Sequence, residues 1–264
     1  MGIGLELPSE GGKAMTMKKK LRRLLMISAL LIPSLSCDKD HLFDCTKSTG
    51  REVTVTRSIA GFDELYLSDN VDVILKRGND YLVSVSAGQQ LMDGIITELQ
   101  GHKLYIRNEN RCNWVRDFRS RYLVELTLPV ALKSIYYDGA GSISCSDSLA
   151  CDGFTFDCWN GSGDINLLLS TNSSHINIHL GRCLVKAEGR SDVSYVYLND
   201  VGVIDASELS TAYTFIRNSS TGKAEIDVRK ELTAEITHTG DIVYQGNPYK
   251  IDSTLTGSGR LIRK

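Results

Sequence analysis

The feature that most constrains this chain is a short glycine-rich turn that recurs and each time leads into an apolar, β-branched stretch. The copies are GAGSI (139–143), GSGDI (161–165), GRSDV (189–193), TGKAEI (221–226), TGDI (239–242) and GSGRLI (257–262). Aligned on the residue before the strand, they place Ser142, Asp164, Asp192, Asp241 and Arg260 in one position. The first two steps are then 22 and 28 residues and the last is 19, with TGKAEI dividing the remaining gap. Self-similarity at a period of about 20 residues predicts a solenoid in which each coil adds a strand to the coil below. Gly139, Gly141, Gly161, Gly163, Gly189, Gly240, Gly257 and Gly259 become corner residues, and Gly161 or Gly163 is expected at positive φ. The strand from Ile165 to Leu169 is expected to lie parallel to, and directly above, the strand starting at Ile143.

Alternation supports the same architecture. Tyr122, Val124, Leu126 and Leu128 share one face of YLVELTLP, with Glu125 and Thr127 on the other; HINIHL sets Ile176, Ile178 and Leu180 against His175, Asn177 and His179. Period-two patterning between turn residues reads as half-buried strands. No stretch after residue 40 carries a long amphipathic helical pattern. The fold class expected is all-β, a right-handed parallel β-solenoid over 58–264.

The turns do not suit phosphate, because a dinucleotide loop needs G-x-G-x-x-G between a strand and a helix. Nor do they suit a calcium β-roll, whose G-G-x-G-x-D loops recur every nine residues. Asp164, Asp192 and Asp241 are read as turn caps. No cofactor and no metal are expected.

From Met17, the expected natural start, Lys18, Lys19, Lys20, Arg22 and Arg23 precede an apolar run from Leu24 to Leu35. A span needs about 20 apolar residues, so this shorter run reads as a secretory signal over 1–36. The segment ends SLSC, resembling a bacterial lipobox with Cys37 as the acylated residue. A polar tether (37–57) follows, and its Asp38, Asp40 and Asp44 resemble a surface-export signal. Removing the signal leaves 24 basic and 30 acidic residues. That acidic body lacks the footprint of a nucleic-acid binder.

Of seven cysteines, acylation of Cys37 leaves an even six: 45, 112, 145, 151, 158 and 183. In an oxidising compartment such residues form bridges, and sequence alone does not choose the pairing. Cys45 and Cys112 flank irregular segments and are taken as one pair. For Cys145, Cys151, Cys158 and Cys183, buried free thiols compete with bridges.

Few residues look chemical. On a strand, His175 and His179 stand about 13 Å apart and cannot share an ion. There is no G-x-S-x-G elbow and no H-E-x-x-H. The segment 107–122 interleaves arginines with aromatics. Its Arg111, Trp114, Arg116, Phe118 and Arg119 form a candidate ligand patch for glycans, or else an insertion that caps the solenoid.

FDELYLSDNVDVILKRGNDYLVSVSA, followed by the G-x-G-D-I turns, resembles the putative autotransporter adhesin, head GIN domain family of Bacteroidota envelope proteins, over residues 58–247. The resemblance implies a right-handed parallel β-solenoid and a cell-envelope location, and it brings no catalytic residues to carry over. The expected function is a non-enzymatic outer-membrane lipoprotein, surface-exposed, that binds a glycan or a surface protein. A polysaccharide lyase or hydrolase and a purely structural component are the alternatives.

Overall fold

The structure is a computed structural model that describes Gly2 and residues 48–111 and 122–264. The chain divides into two units, Met1–Thr46 and Lys47–Lys264, and all the described strands lie in the second. Cys37, Cys45 and Cys112 lie outside the described residues.

The strands are β1 (Glu52–Ser58), β2 (Glu64–Asp69), β3 (Asp72–Arg77), β4 (Leu82–Gly88), β5 (Ile95–Gln100), β6 (Lys103–Asn108), β7 (Leu123–Leu128), β8 (Ser134–Gly139) and β9 (Ile143–Cys145). They continue as β10 (Leu149–Cys158), β11 (Asp164–Ile178), β12 (Leu184–Asp200), β13 (Val203–Ser220), β14 (Ala224–Ile236), β15 (Ile242–Gln245), β16 (Lys250–Leu255) and β17 (Leu261–Arg263). From β8 onward the pairings are parallel and successive coils stack, which is a parallel β-solenoid. Ile165 pairs with Ile143 in parallel register, as the repeat predicts. Regular structure opens at Glu52, ahead of residue 58.

Each long strand covers two sides of the coil. In β11, Ile165, Leu167, Leu169 and Thr171 point inward; then the parity switches and Ser174, Ile176 and Ile178 point inward. The switch marks a corner at Asn172, which the register skips between Thr171 and Ser173. Both inner faces feed one continuous core running from Phe62 to Ile242. Buried hydroxyls pair along the axis near this corner: Ser174 donates to Ser194 at 3.0 Å and Thr171 to Ser191 at 3.2 Å. No buried side-chain nitrogen or oxygen among the described residues lacks a partner.

The first coils depart from simple stacking. β2 lies between β6 and β8, and β3 lies between β7 and β9, so the chain doubles back before it ascends. At this end β1–β4, β4–β7 and β5–β6 pair antiparallel. Antiparallel pairing of this kind satisfies edges that a bare parallel coil would leave open.

The corner glycines require two corrections. Asp164, Leu184, Val203, Lys223, Asp241 and Arg260 are the residues that share one corner of successive coils, 18–20 residues apart. Asp192 does not belong with them; it sits at the opposite corner beside Ser191, opposite Thr171 of the coil below. The 28-residue step therefore joins two different corners. Both corners use glycine, which is why their sequences look alike.

Nor do Gly161 and Gly163 adopt positive φ. Of the expected glycines only Gly189 does, at φ 104°. What Gly163 supplies is room: a Cβ there would stand 2.0 Å from the Gly141 carbonyl oxygen and 2.3 Å from the Tyr137 hydroxyl. The same contact recurs up the axis, Gly141 against Val71, Gly240 against Gly222 and Gly259 against Gly240. Tyr137 lies beneath the turn, donating to Gly141 O at 2.6 Å and accepting from the Gly163 N–H at 3.1 Å. Burial pushes its hydroxyl pKa up to about 12, so it stays a donor at all ordinary pH. Of the three aspartates read as turn caps, Asp241 is seen in that role: it accepts from the Arg260 guanidinium and from its backbone N–H, which hold its carboxyl below the usual range.

Cys158 and Cys183 form a disulfide between neighbouring coils, while Cys145 and Cys151 are free thiols. Burial pushes the Cys145 pKa up to about 11, leaving little thiolate near neutrality. Two outcomes follow. Gly163→Ala should destabilise the fold by about 1–3 kcal/mol, the scale of overpacking against backbone. Gly153→Ala, whose methyl meets only the Ser173 hydroxyl at 3.2 Å, should cost clearly less in the same urea titration. Peptide mapping without reductant should recover Cys158 linked to Cys183, and Cys145 should resist alkylation at pH 8 until the protein is unfolded.

Candidate functional site

The second side of the coil presents its outward positions to solvent. Parallel in-register stacking places the outward residue of each coil about 4.8 Å above its counterpart, so outward residues form columns. One column runs Lys103, Glu64, Ser134, Thr155, His175, Tyr195, Phe215, Thr233, Asp252. The next runs Tyr105, Tyr66, Tyr136, Asp157, Asn177, Tyr197, Arg217, Glu235. A third contains Trp159 and His179.

Coil spacing and the separation of stacked rings are nearly the same length, so aromatic side chains in one column stack. His175 lies on Tyr195 at 4.6 Å and 10°, and Tyr195 on Phe215 at 5.1 Å and 12°. Tyr66 is stacked between Tyr105 at 4.8 Å and Tyr136 at 5.2 Å. Trp159 lies on His179 at 4.0 Å and 11°. Each pair contributes about 0.5–1.5 kcal/mol beyond area burial. The rings remain accessible all the same: Trp159 is 43%, Tyr195 40% and Phe215 43% exposed.

The first ladder ends at Phe215, because the next coil carries Thr233 in that column. The step leaves a groove of about 280 Å³ lined by Asn177, Tyr195, Tyr197, Phe215, Arg217, Thr233 and Glu235. A second recess, about 220 Å³, lies on the first side among Leu75, Arg77, Val130, Asp147 and Leu149.

Charges on the ring face are paired across it. Lys103 meets Glu64 at 3.3 Å, Arg107 meets Glu98 at 3.0 Å, Arg217 meets Glu235 at 3.6 Å, and His179 reaches Asp157 at 3.1 Å. Hydrogen bonds with Tyr66 and Glu64 hold the Lys103 pKa up, and those from Gln100 and Arg107 hold Glu98 down. Exposed pairs of this kind are screened by solvent and contribute little stability. What they do is balance Lys103, Arg107 and Arg217 with neighbouring carboxylates. Among the described residues no group of three His, Cys, Asp or Glu side chains could hold a metal ion.

Of the ligand patch expected from sequence, Arg111 is described, while Trp114, Arg116, Phe118 and Arg119 lie outside the described residues. The structure draws attention instead to His175 and His179, which are separate from each other, each stacked on a ring from a neighbouring coil. The signal was an aromatic or imidazole at a 20-residue offset, as in 175, 195 and 215, or 159 and 179. It becomes readable only once the coil length is known.

Residues 61–248 match the family described as putative auto-transporter adhesin, head GIN domain. The chain belongs to this family. Solved structures with the same fold include a putative adhesin from Bacteroides fragilis, 16% identical, with a TM-score of 0.75 over 81% of this chain and 97% of that one. A putative adhesin from Parabacteroides distasonis is 16% identical, with a TM-score of 0.65 over 81% of this chain and 98% of its own. A putative lipid binding protein from the same species is 21% identical, with a TM-score of 0.60 over 82% and 98%. No curated protein matches the chain. At these identities the likeness establishes the fold, and within this head GIN fold the ring face must be argued from its own residues.

If the ladder is an energetic unit, Tyr195→Ala removes two stacked contacts at once. The melting temperature should fall by more than for Thr155→Ala, which sits in the same column beside His175 but carries no ring and makes no stacked pair. The difference should correspond to about 1–3 kcal/mol.

Proposed function

We propose that this is a non-enzymatic, adhesin-like lipoprotein of the cell envelope that uses the ring face to hold a glycan or a surface protein. The observation that carries the reading is the exposure of stacked rings along one side of a rigid solenoid. Exposed aromatic side chains present large contact area at low conformational cost, and a flat side built from in-register strands needs no rearrangement to use it. Family membership supports the adhesin-like reading. The absence of a metal-holding cluster among the described residues is consistent with a role in binding.

In this reading Cys37 is the acylated mature N-terminus in the outer membrane. Asp38, Asp40 and Asp44 direct the protein outward, and the polar stretch from Cys37 to the start of β1 at Glu52 tethers the solenoid. Cys45 and Cys112 are paired, closing a loop whose bridge stabilises by about 3–5 kcal/mol in the chain-entropy model. Arg111, Trp114, Arg116, Phe118 and Arg119 form a second contact patch or an end cap.

Incubation with a panel of polysaccharides, followed by both pull-down and product analysis, tests the function. Retention without new reducing or unsaturated ends is the expected outcome. Turnover would move the protein to the polysaccharide-active enzymes, and neither retention nor turnover would favour a structural role. Mass spectrometry of protein isolated from membranes should find acyl chains on Cys37, and proteolysis of intact cells should remove the solenoid. An unmodified Cys37, or a mature N-terminus elsewhere, would contradict the anchor.

A further inference from the structure

We propose that the groove at the end of the His175–Tyr195–Phe215 ladder binds a neutral saccharide, with a pyranose ring seated on the free face of Phe215. The inference rests on the binding function proposed above and names its site and ligand class. The first reason is the ring. His175 and Phe215 both stack on Tyr195, but among the described residues no ring is stacked on the far side of Phe215, where the next coil carries the exposed Thr233. A flat apolar face bordered by polar groups suits the C–H face of a sugar, whose hydroxyls point outward around its rim.

The second reason is the set of unused polar atoms around that face. Neither Tyr195 nor Tyr197 has a hydrogen bond from its hydroxyl to another described residue. Arg217 spends Nε on Ser219 at 3.2 Å and on the Glu235 carboxylate at 3.6 Å. Its two terminal nitrogens are left to point elsewhere. The Asn177 side chain donates to Asp157 at 2.9 Å, which fixes its amide and leaves its carbonyl oxygen to accept. Donors and acceptors thus lie within one groove, held by neighbouring coils.

Charge decides the class of sugar. The charged residues that line the groove are Arg217 and Glu235, and they balance each other, so the groove offers no net positive charge to a uronate or sulfate. The body beyond Cys37 carries 24 basic against 30 acidic residues, and such a field repels an anionic polymer. The groove volume, about 280 Å³, lies near the lower limit for small-molecule sites, about 300 Å³. That scale fits a sugar unit or two of a longer chain. A folded protein would need a surface several times larger, with a buried area above about 1,000 Å².

The test uses the full-length protein on an array of neutral glucans, mannans, galactans and xylans beside uronans and sulfated glycans. Phe215→Ala, Phe215→Trp, Arg217→Ala and Val130→Ala are compared with the unaltered protein, and each is checked by thermal melting. The expected result is retention on at least one neutral glycan, weakened about tenfold by Phe215→Ala and by Arg217→Ala, and kept by Phe215→Trp, which preserves the face. Val130→Ala, an exposed apolar residue away from the ring face, should bind normally. Neutral binding that survives Phe215→Ala, or is weakened as much by Val130→Ala, would overturn this site and leave the glycan-binding function standing. Binding confined to uronans or sulfated glycans would overturn the ligand class. No retention on any glycan would overturn both this inference and the glycan arm of the proposed function.

Discussion

The structure depends on how closely one coil's backbone lies on the next at the glycine corner. A carbonyl of the coil below sits where the Cβ of Gly163, Gly240 or Gly259 would be, so the corner fixes the distance between coils. Once that distance is set at every level, the strands on both sides must stack in register, and the sides become flat. Flat, in-register sides turn residues 20 apart in sequence into neighbours. The ring ladders and the paired charges are both consequences of the same backbone contact.

The interior reflects the same regularity with local exceptions. Inward positions are mostly Ile, Leu and Val, but the second corner stacks Ser174, Ser194 and Thr214 inside the tube. Ser174 donates to Ser194 along the axis, and Thr214 is hydrogen-bonded to Thr211 of its own coil at 2.6 Å, so each buried hydroxyl has a partner. Where the corner position of Gly163 and Gly202 is taken by Cys183, the side chain turns in under Gly161 and bridges to Cys158. Packing and covalent closure thus replace the glycine contact at a single level. At the end that starts the fold, antiparallel β1, β4 and β5 occupy edges that further coils would otherwise cover.

Much of this was legible in the sequence because it was periodic. Alternation marked the strands, the repeated turns marked the coil, and the pairing of Ile143 with Ile165 followed directly. The reason for the glycines was not legible. Gly161 and Gly163 look like residues chosen for backbone conformation, yet they serve the Tyr137 ring and the Gly141 carbonyl, contacts made by other coils. The placement of Asp192 failed for a related reason: two corners of one coil use similar residues, and composition does not say which corner a turn belongs to. The doubling back of β2 and β3 left no local trace at all. The ring face was hidden in the same way, since His175, Tyr195 and Phe215 are unremarkable singly and become a surface only in register.

The most direct measurement is the distance between spin labels placed along one outward column, with the free cysteines Cys145 and Cys151 replaced. Thr155→Cys and Asp252→Cys are five strands apart, and Lys103→Cys and Asp252→Cys are eight strands apart, by the observed pairings. At about 4.8 Å per strand, the account predicts separations of about 24 Å and about 38 Å, before label length is added. A second distance no longer than the first, or distances that do not grow with the number of coils, would contradict the stacked register on which the ring face depends.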